Sequence, residues 1–236
     1  ATIEGMARID CPGPKEEAGV IALLMRRALE RPAATAALVT PERRLARRVA
    51  IELRRWGIEV DDSAGTSLEA TPPGAFLRLV AVAMAAGLAP VPLLAMLKHP
   101  LATGGRAAAA FNAEVRLLER RVLRGPRPAP GFEGLAAAVK ATKAPRSLGR
   151  FVARIMAAGA AYESLGQGDA IALPDLVTPH VEFAEWLSRD ESGRSRLWET
   201  EAGEVAARFV HELHAAAEGL GAIAPATYPE LLAGLM

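Results

Sequence analysis

From Thr71 onward, proline and glycine cut the chain into pieces of helix length, and this punctuation constrains the fold more than any motif does. The pieces PGAFLRLVAVAMAAG, PVPLLAMLKHP, RAAAAFNAEVRLLERRVLRG and GFEGLAAAVKATK come first. PRSLGRFVARIMAAGAAYESLG, LPDLVTPHVEFAEWLSRD and ETEAGEVAARFVHELHAAAEGLG follow. Ala and Leu dominate them, and both are strong helix formers that lose little freedom on becoming helical. The seams fall at Pro, which cannot continue a helix, and at Gly, which ends one cheaply. Successive helices with no strand are expected from residue 71 to 236. Leu79 to Leu97 is uncharged and long enough to raise the question of a membrane span, but Gly87, Pro90 and Pro92 interrupt it. Two short buried helices fit it better.

The first seventy residues read differently. MARIDCPG is a short β-like run closed by Pro-Gly-Pro, and PKEEAGVIALLMRRALER is a helix with acids in its first turn and Arg in its last. Its apolar stripe is expected through Val20, Ile21, Leu24 and Ala28. TAALVTP reads as a buried strand stopped by Pro41, PERRLARRVAIELRRWG as a helix ending at Gly57, and IEVDDS as a third strand. The order βαβαβ predicts a small three-stranded parallel sheet with crossover helices over residues 1–70, followed by a mostly α domain over 71–236.

A single cysteine, Cys11, excludes an internal disulfide framework and any multi-cysteine metal site within the chain, and makes the cytoplasm the natural compartment. ATIEGMARID lacks the apolar run of a secretory signal. The net charge of +1 conceals an asymmetry, because residues 1–150 are basic overall while 151–236 carry 5 basic and 13 acidic groups. Such a chain suits a polyanion on one side and solvent or a basic partner on the other.

Four groups of residues carry candidate chemistry. In the helix from 41 to 56, Leu45, Val49, Leu53 and Trp56 share one face, while Arg43, Arg44, Arg47, Arg48, Arg54 and Arg55 occupy the other. Guanidinium groups match phosphate oxygens in geometry, so this face is a candidate polyanion grip; the alternative is a solvated surface. A second basic region, 98–150, sets Arg116, Arg120, Arg121 and Arg124 beside an apolar stripe of Phe111, Val115, Leu118 and Val122. Few aromatics lie among these charges, so backbone contact is favoured over base stacking. His211 and His214, with Glu182 or Glu185, raise a metal site, although HELH lacks the spacing of the zinc-protease motif. Asp61 and Asp62 raise a metal-dependent nuclease, but no E-x-K follows and adjacent strand residues face opposite ways, so a turn role is the plainer reading. No phosphate-loop, dinucleotide-binding or nucleophile-elbow motif is present.

The run AALVTPERRLARRVAIELRRWGIEVDDSAGTSLEATPPGAFLRLV, followed by LLAMLKHPLA, resembles AddB-type subunits of the AddAB helicase–nuclease, and more distantly UvrD-type helicases. CPGPKEEAGVIALLMRRALE, RLWETEAGEVAARFVHELHAAA and YPELLAGLM extend the resemblance over nearly the whole chain, with 36–102 its specific part. The resemblance implies an internal fragment of a longer double-strand-break repair exonuclease: part of a RecA-like motor domain over 1–70 and a helical insertion over 71–236. It implies DNA and an AddA-like helicase–nuclease subunit as partners, and no membrane. The family's ATP and Mg chemistry and its iron–sulfur cluster would lie outside this chain, leaving it no cofactor and no catalysis of its own. UvrD-type helicases carry an Arg directly after the strand, where this chain has Thr40. That departure favours DNA contact over ATP turnover, with Arg43, Arg44, Arg47 and Arg48 as the phosphate contacts. The rival readings are an interaction scaffold that does not bind DNA and a stand-alone nuclease using Asp61 and Asp62.

Overall fold

The computed structural model describes residues 5–63, 65–165, 170–217 and 221–236. The chain divides into two units, Ala1–Gly65 and Thr66–Met236. Helix accounts for 65% against 2% strand, so the fold is all-helical and the expected three-stranded parallel βαβαβ sheet is absent among the described residues. The only strand-like pairings among the described residues are two isolated antiparallel bridges, Ile171 with Ile223 and Arg189 with Ser195.

The first unit contains α1 (Pro14–Leu29) and α2 (Arg43–Arg54), packed on each other. In α1, Pro14 follows an extended Gly13, Glu16 and Glu17 lie in the first turn and Arg26 and Arg27 in the last, an order that suits the helix dipole. The buried stripe is Ala18 and Ala22, with Ile21 and Met25 partly covered, rather than the predicted one through Leu24, which is exposed. Small alanines let α1 lie close to Leu45, Val49 and Leu53 of α2. Gly57, at φ 71°, ends the turn after α2 in the left-handed region that glycine tolerates.

The three segments expected as strands, 6–11, 35–40 and 58–63, carry no sheet pairing. Residues 34–40 and 58–62 run without turn or bend, and both line an open groove of about 570 Å³ floored by Val49 and Leu53. No backbone hydrogen bond joins them among the described residues. The physical reason lies in coverage. A parallel strand must bury both faces, yet only Leu38 and Ile58 pack against the helices and Val39 is 93% exposed.

The second unit holds eight helices among the described residues. They are α3 (Pro72–Ala85), α4 (Pro90–Leu97), α5 (Ala108–Leu118), α6 (Gly131–Ala141), α7 (Arg146–Leu165), α8 (Leu173–Leu187), α9 (Glu201–Ala217) and α10 (Tyr228–Leu235). The uncharged stretch 79–97 divides between α3 and α4, with Gly87 and Leu88 both at φ 58° making the turn. No helix among the described residues is long and apolar enough to cross a membrane. α3 packs against α4, α8, α9 and α10, while α7 packs against α5, α6 and α8. The stripe Phe111, Val115, Leu118 and Val122 is wholly buried, as its period predicts.

Two devices fix the start and the centre of this unit. Thr71 caps α3: its Oγ1 accepts the Gly74 N–H at 3.3 Å and its hydroxyl donates to the Leu68 carbonyl at 2.6 Å. That geometry presses Gly74 onto the preceding turn, where a Cβ would stand 1.9 Å from Leu68 O. Gly74→Ala is therefore expected to lower stability by about 1–3 kcal/mol, read as a fall in the thermal midpoint followed by circular dichroism. At the centre, His180 of α8 is fully enclosed. Its Nδ1 lies 2.8 Å from the Tyr228 hydroxyl of α10 and its Nε2 2.9 Å from the Leu77 carbonyl of α3. Leu77 O can only accept, so Nε2 carries the proton and Nδ1 accepts from Tyr228. One neutral imidazole thus joins three helices.

Candidate nucleic-acid interface

α2 is built to turn one face out. Leu45, Val49 and Leu53 recur at helical spacing and are buried against α1, which leaves Arg43, Arg44, Arg47 and Arg48 exposed. The placement of charge is unusual for a helix. The first turn of α2 contains no acidic residue, and the N-cap Glu42 makes no side-chain capping bond. Its N–H goes instead to Thr40 Oγ1 at 3.0 Å, so Thr40 shapes the entry to the helix. Cations at a helix N-terminus oppose the dipole, and Arg44 with Arg48 is a like-charge pair at i, i+4; both effects are destabilising. α1 in the same unit has the opposite, favourable arrangement.

The four predicted arginines are not equivalent. Arg43 is engaged inside the chain: Nη1 and Nη2 each donate to the Asp62 carboxylate at 2.9 Å, and Nη2 also donates to the Gly65 carbonyl at 2.6 Å. The hydrogen bond to Asp62 raises its pKa above the ordinary value. Arg44, Arg47 and Arg48 have no ion pair or side-chain hydrogen bond among the described residues, so their donors face outward. Arg55 is paired with Glu52 at 2.8 Å. Trp56, 37% exposed, has the Arg26 guanidinium over its ring at 4.9 Å from the centroid and lies off the arginine face.

Asp62 belongs to the same arrangement as the clamp on Arg43, while Asp61 beside it is exposed. Among the described residues no group of three His, Cys, Asp or Glu gathers at a distance suited to a metal ion. The imagined histidine site is dispersed. His214 Nε2 lies 3.3 Å from the Thr178 hydroxyl, and Glu185 accepts from Trp198 Nε1 at 2.7 Å. In the second basic region, Lys98 and Arg124 both bind Glu119, at 2.6 and 2.9 Å, and lower its pKa; Arg116 donates to its own helix at Asn112 O. That face is partly self-neutralised, as α2 is at Arg43 and Arg55.

No family model, curated protein or solved structure matches this chain. His180, expected as an ordinary surface or half-buried histidine, is instead buried; its spacing from Leu173, Leu176, Val177, Phe183 and Ala184 puts it on the buried stripe of α8.

Proposed function

We propose that α2 grips nucleic-acid phosphates without reading base sequence, with Arg44, Arg47 and Arg48 as the contacts and Arg43 as a brace. The observation that carries this is the cationic first half of α2, where among the described residues Arg44, Arg47 and Arg48 are unpaired and only Arg43 is met by a carboxylate, a destabilising arrangement that phosphate would relieve. An anion at that end would meet the helix dipole, the free amides of the first turn and three outward guanidinium groups together. The absence of an open aromatic among these arginines favours backbone contact over base recognition. The sequence resemblance to AddB-type subunits supports DNA at a break as the polyanion and an AddA-like subunit as the partner. The chain's part is guidance of DNA rather than catalysis.

The test is a salt titration of the whole chain against short labelled single-stranded and duplex DNA. Binding is expected at about 50 mM salt, with similar affinity for unrelated sequences and steep weakening by about 200 mM. An affinity that never appears at low salt, or that ignores salt, contradicts the proposal. A companion substitution separates this reading from the nuclease. Asp62→Asn removes a negative charge and releases Arg43, so DNA affinity is expected to rise by roughly two- to threefold. A loss of magnesium- or manganese-dependent cleavage in the same variant would support the nuclease instead.

A further inference from the structure

In the second unit, a cleft of about 330 Å³ opens between α5 and α7, lined by Arg106, Glu114, Ser147, Arg150, Phe151 and Arg154. Its volume is within the range of small-molecule sites. Ser147, Arg150, Phe151 and Arg154 follow one another at helical spacing on a single face of α7. Phe151 forms the floor, meeting Phe111 of α5 edge to face at 5.3 Å. Arg154 is held from behind: Nη2 donates to Gly104 O at 2.9 Å, and its guanidinium lies 5.9 Å from the Trp186 ring centroid. Arg106 comes from a loop fastened to the end of α8. There Thr103 and Gly104 amides donate to Leu187 O at 2.8 Å, and the Gly105 amide donates to Arg189 O at 2.7 Å.

Two features of this cleft are left over from the fold. Neither Arg106 nor Arg150 has an ion pair or side-chain hydrogen bond among the described residues. In the same lining, Glu114 Oε2 is buried and has no hydrogen-bond partner among the described residues. A buried carboxylate oxygen without a donor is costly, and three guanidinium groups line the same space without neutralising it. The cleft therefore asks for a ligand that is anionic and also carries one proton to donate.

We propose that this cleft binds a phosphate bearing one P–OH, with Arg106, Arg150 and Arg154 holding the oxyanion oxygens and Glu114 accepting the hydrogen bond from the P–OH. Ser147, in the first turn of α7, adds a hydroxyl and the positive end of the helix. Glu114 makes the site selective: it repels sulfate, which has no proton to offer at neutral pH, and likewise a phosphodiester. Inorganic phosphate keeps its P–OH at pH 7. A terminal phosphomonoester, whose second ionisation lies near pH 6, keeps it only in part. The site is independent of α2.

The test is calorimetric titration of the whole chain carrying Arg44→Gln, Arg47→Gln and Arg48→Gln, which removes the α2 grip. The ligands are inorganic phosphate, sulfate, and one oligonucleotide with either a 5′-phosphate or a 5′-hydroxyl. Phosphate is expected to bind at least about tenfold tighter than sulfate, because a site built for a donor rejects the analogue lacking it. Arg150→Gln and Arg106→Gln should each weaken phosphate by about tenfold, and Glu114→Gln should abolish the preference over sulfate. Tighter binding of the 5′-phosphorylated oligonucleotide than of free phosphate assigns the source as a nucleic-acid end; the reverse order assigns it as the free ion. Absence of phosphate binding overturns the site, and equal binding of phosphate and sulfate overturns the role of Glu114. A failure of α2 to bind DNA leaves each of these results intact.

Discussion

Replacing His180 by Ala is expected to lower the stability of the Thr66–Met236 unit by about 3 kcal/mol, a large effect for a single substitution. The change removes two hydrogen bonds, leaves the Tyr228 hydroxyl and Leu77 carbonyl without partners, and opens a cavity between three helices. Tyr228→Phe should cost less, about 1–2 kcal/mol, because only the imidazole Nδ1 loses its donor. Both follow from thermal or urea melts at neutral pH. The same residue sets an acid limit. Burial holds the His180 pKa down at about 4 from an ordinary 6.5, only partly offset by the hydrogen bond to Leu77. Above pH 6.5 both folded and unfolded forms are neutral and the stability is complete. As pH falls from 6.5 towards 4 the unfolded chain takes up a proton that the folded chain refuses, so stability declines by roughly 3 kcal/mol in all. In His180→Ala this part of the pH dependence should vanish. A melt whose acid slope is unchanged in that variant would contradict the assignment.

The second large effect belongs to α2. Substituting Gln for Arg44, Arg47 and Arg48 together is expected to weaken DNA binding by about a hundredfold at low salt, at roughly 1 kcal/mol for each guanidinium–phosphate pair removed. Stability should stay level or rise slightly, since the i, i+4 like-charge pairs of Arg47 with Arg43 and of Arg48 with Arg44, and one cation in the first turn, disappear. The opposite directions of the two effects matter. A merely structural role for these arginines would lower stability and binding together.

The helical part of this fold was legible because its signals are local. Leu45, Val49 and Leu53 mark the inner face of α2, and Phe111 to Val122 mark that of α5 and the turn beyond it. Gly87 and Pro90 mark the break between α3 and α4. The expected sheet does not form because, although Thr35, Val39 and Thr40 are β-branched, pairing depends on cover for both faces, which a local pattern does not report. The stripe of α1 was misjudged by weighting Leu24 above Ala18 and Ala22; close helix packing favours the small residues. Within the candidate interface, exposure of the arginines followed from the period of α2. The capture of Arg43 by Asp62 and Gly65 did not, because it joins residues across a turn. The α5–α7 cleft was hidden for the same reason. Arg150 and Arg154 share a helix face, but Arg106 reaches them only through a loop anchored on α8.

The most direct test of phosphate binding by α2 is the slope of log affinity for duplex DNA against log salt, measured for the parent chain and for the triple Gln variant. Each phosphate neutralised contributes about −0.9 to that slope. With three guanidinium groups replaced, the slope should become shallower by between about 2 and 3. An unchanged slope, with affinity also unchanged, would contradict phosphate binding by Arg44, Arg47 and Arg48.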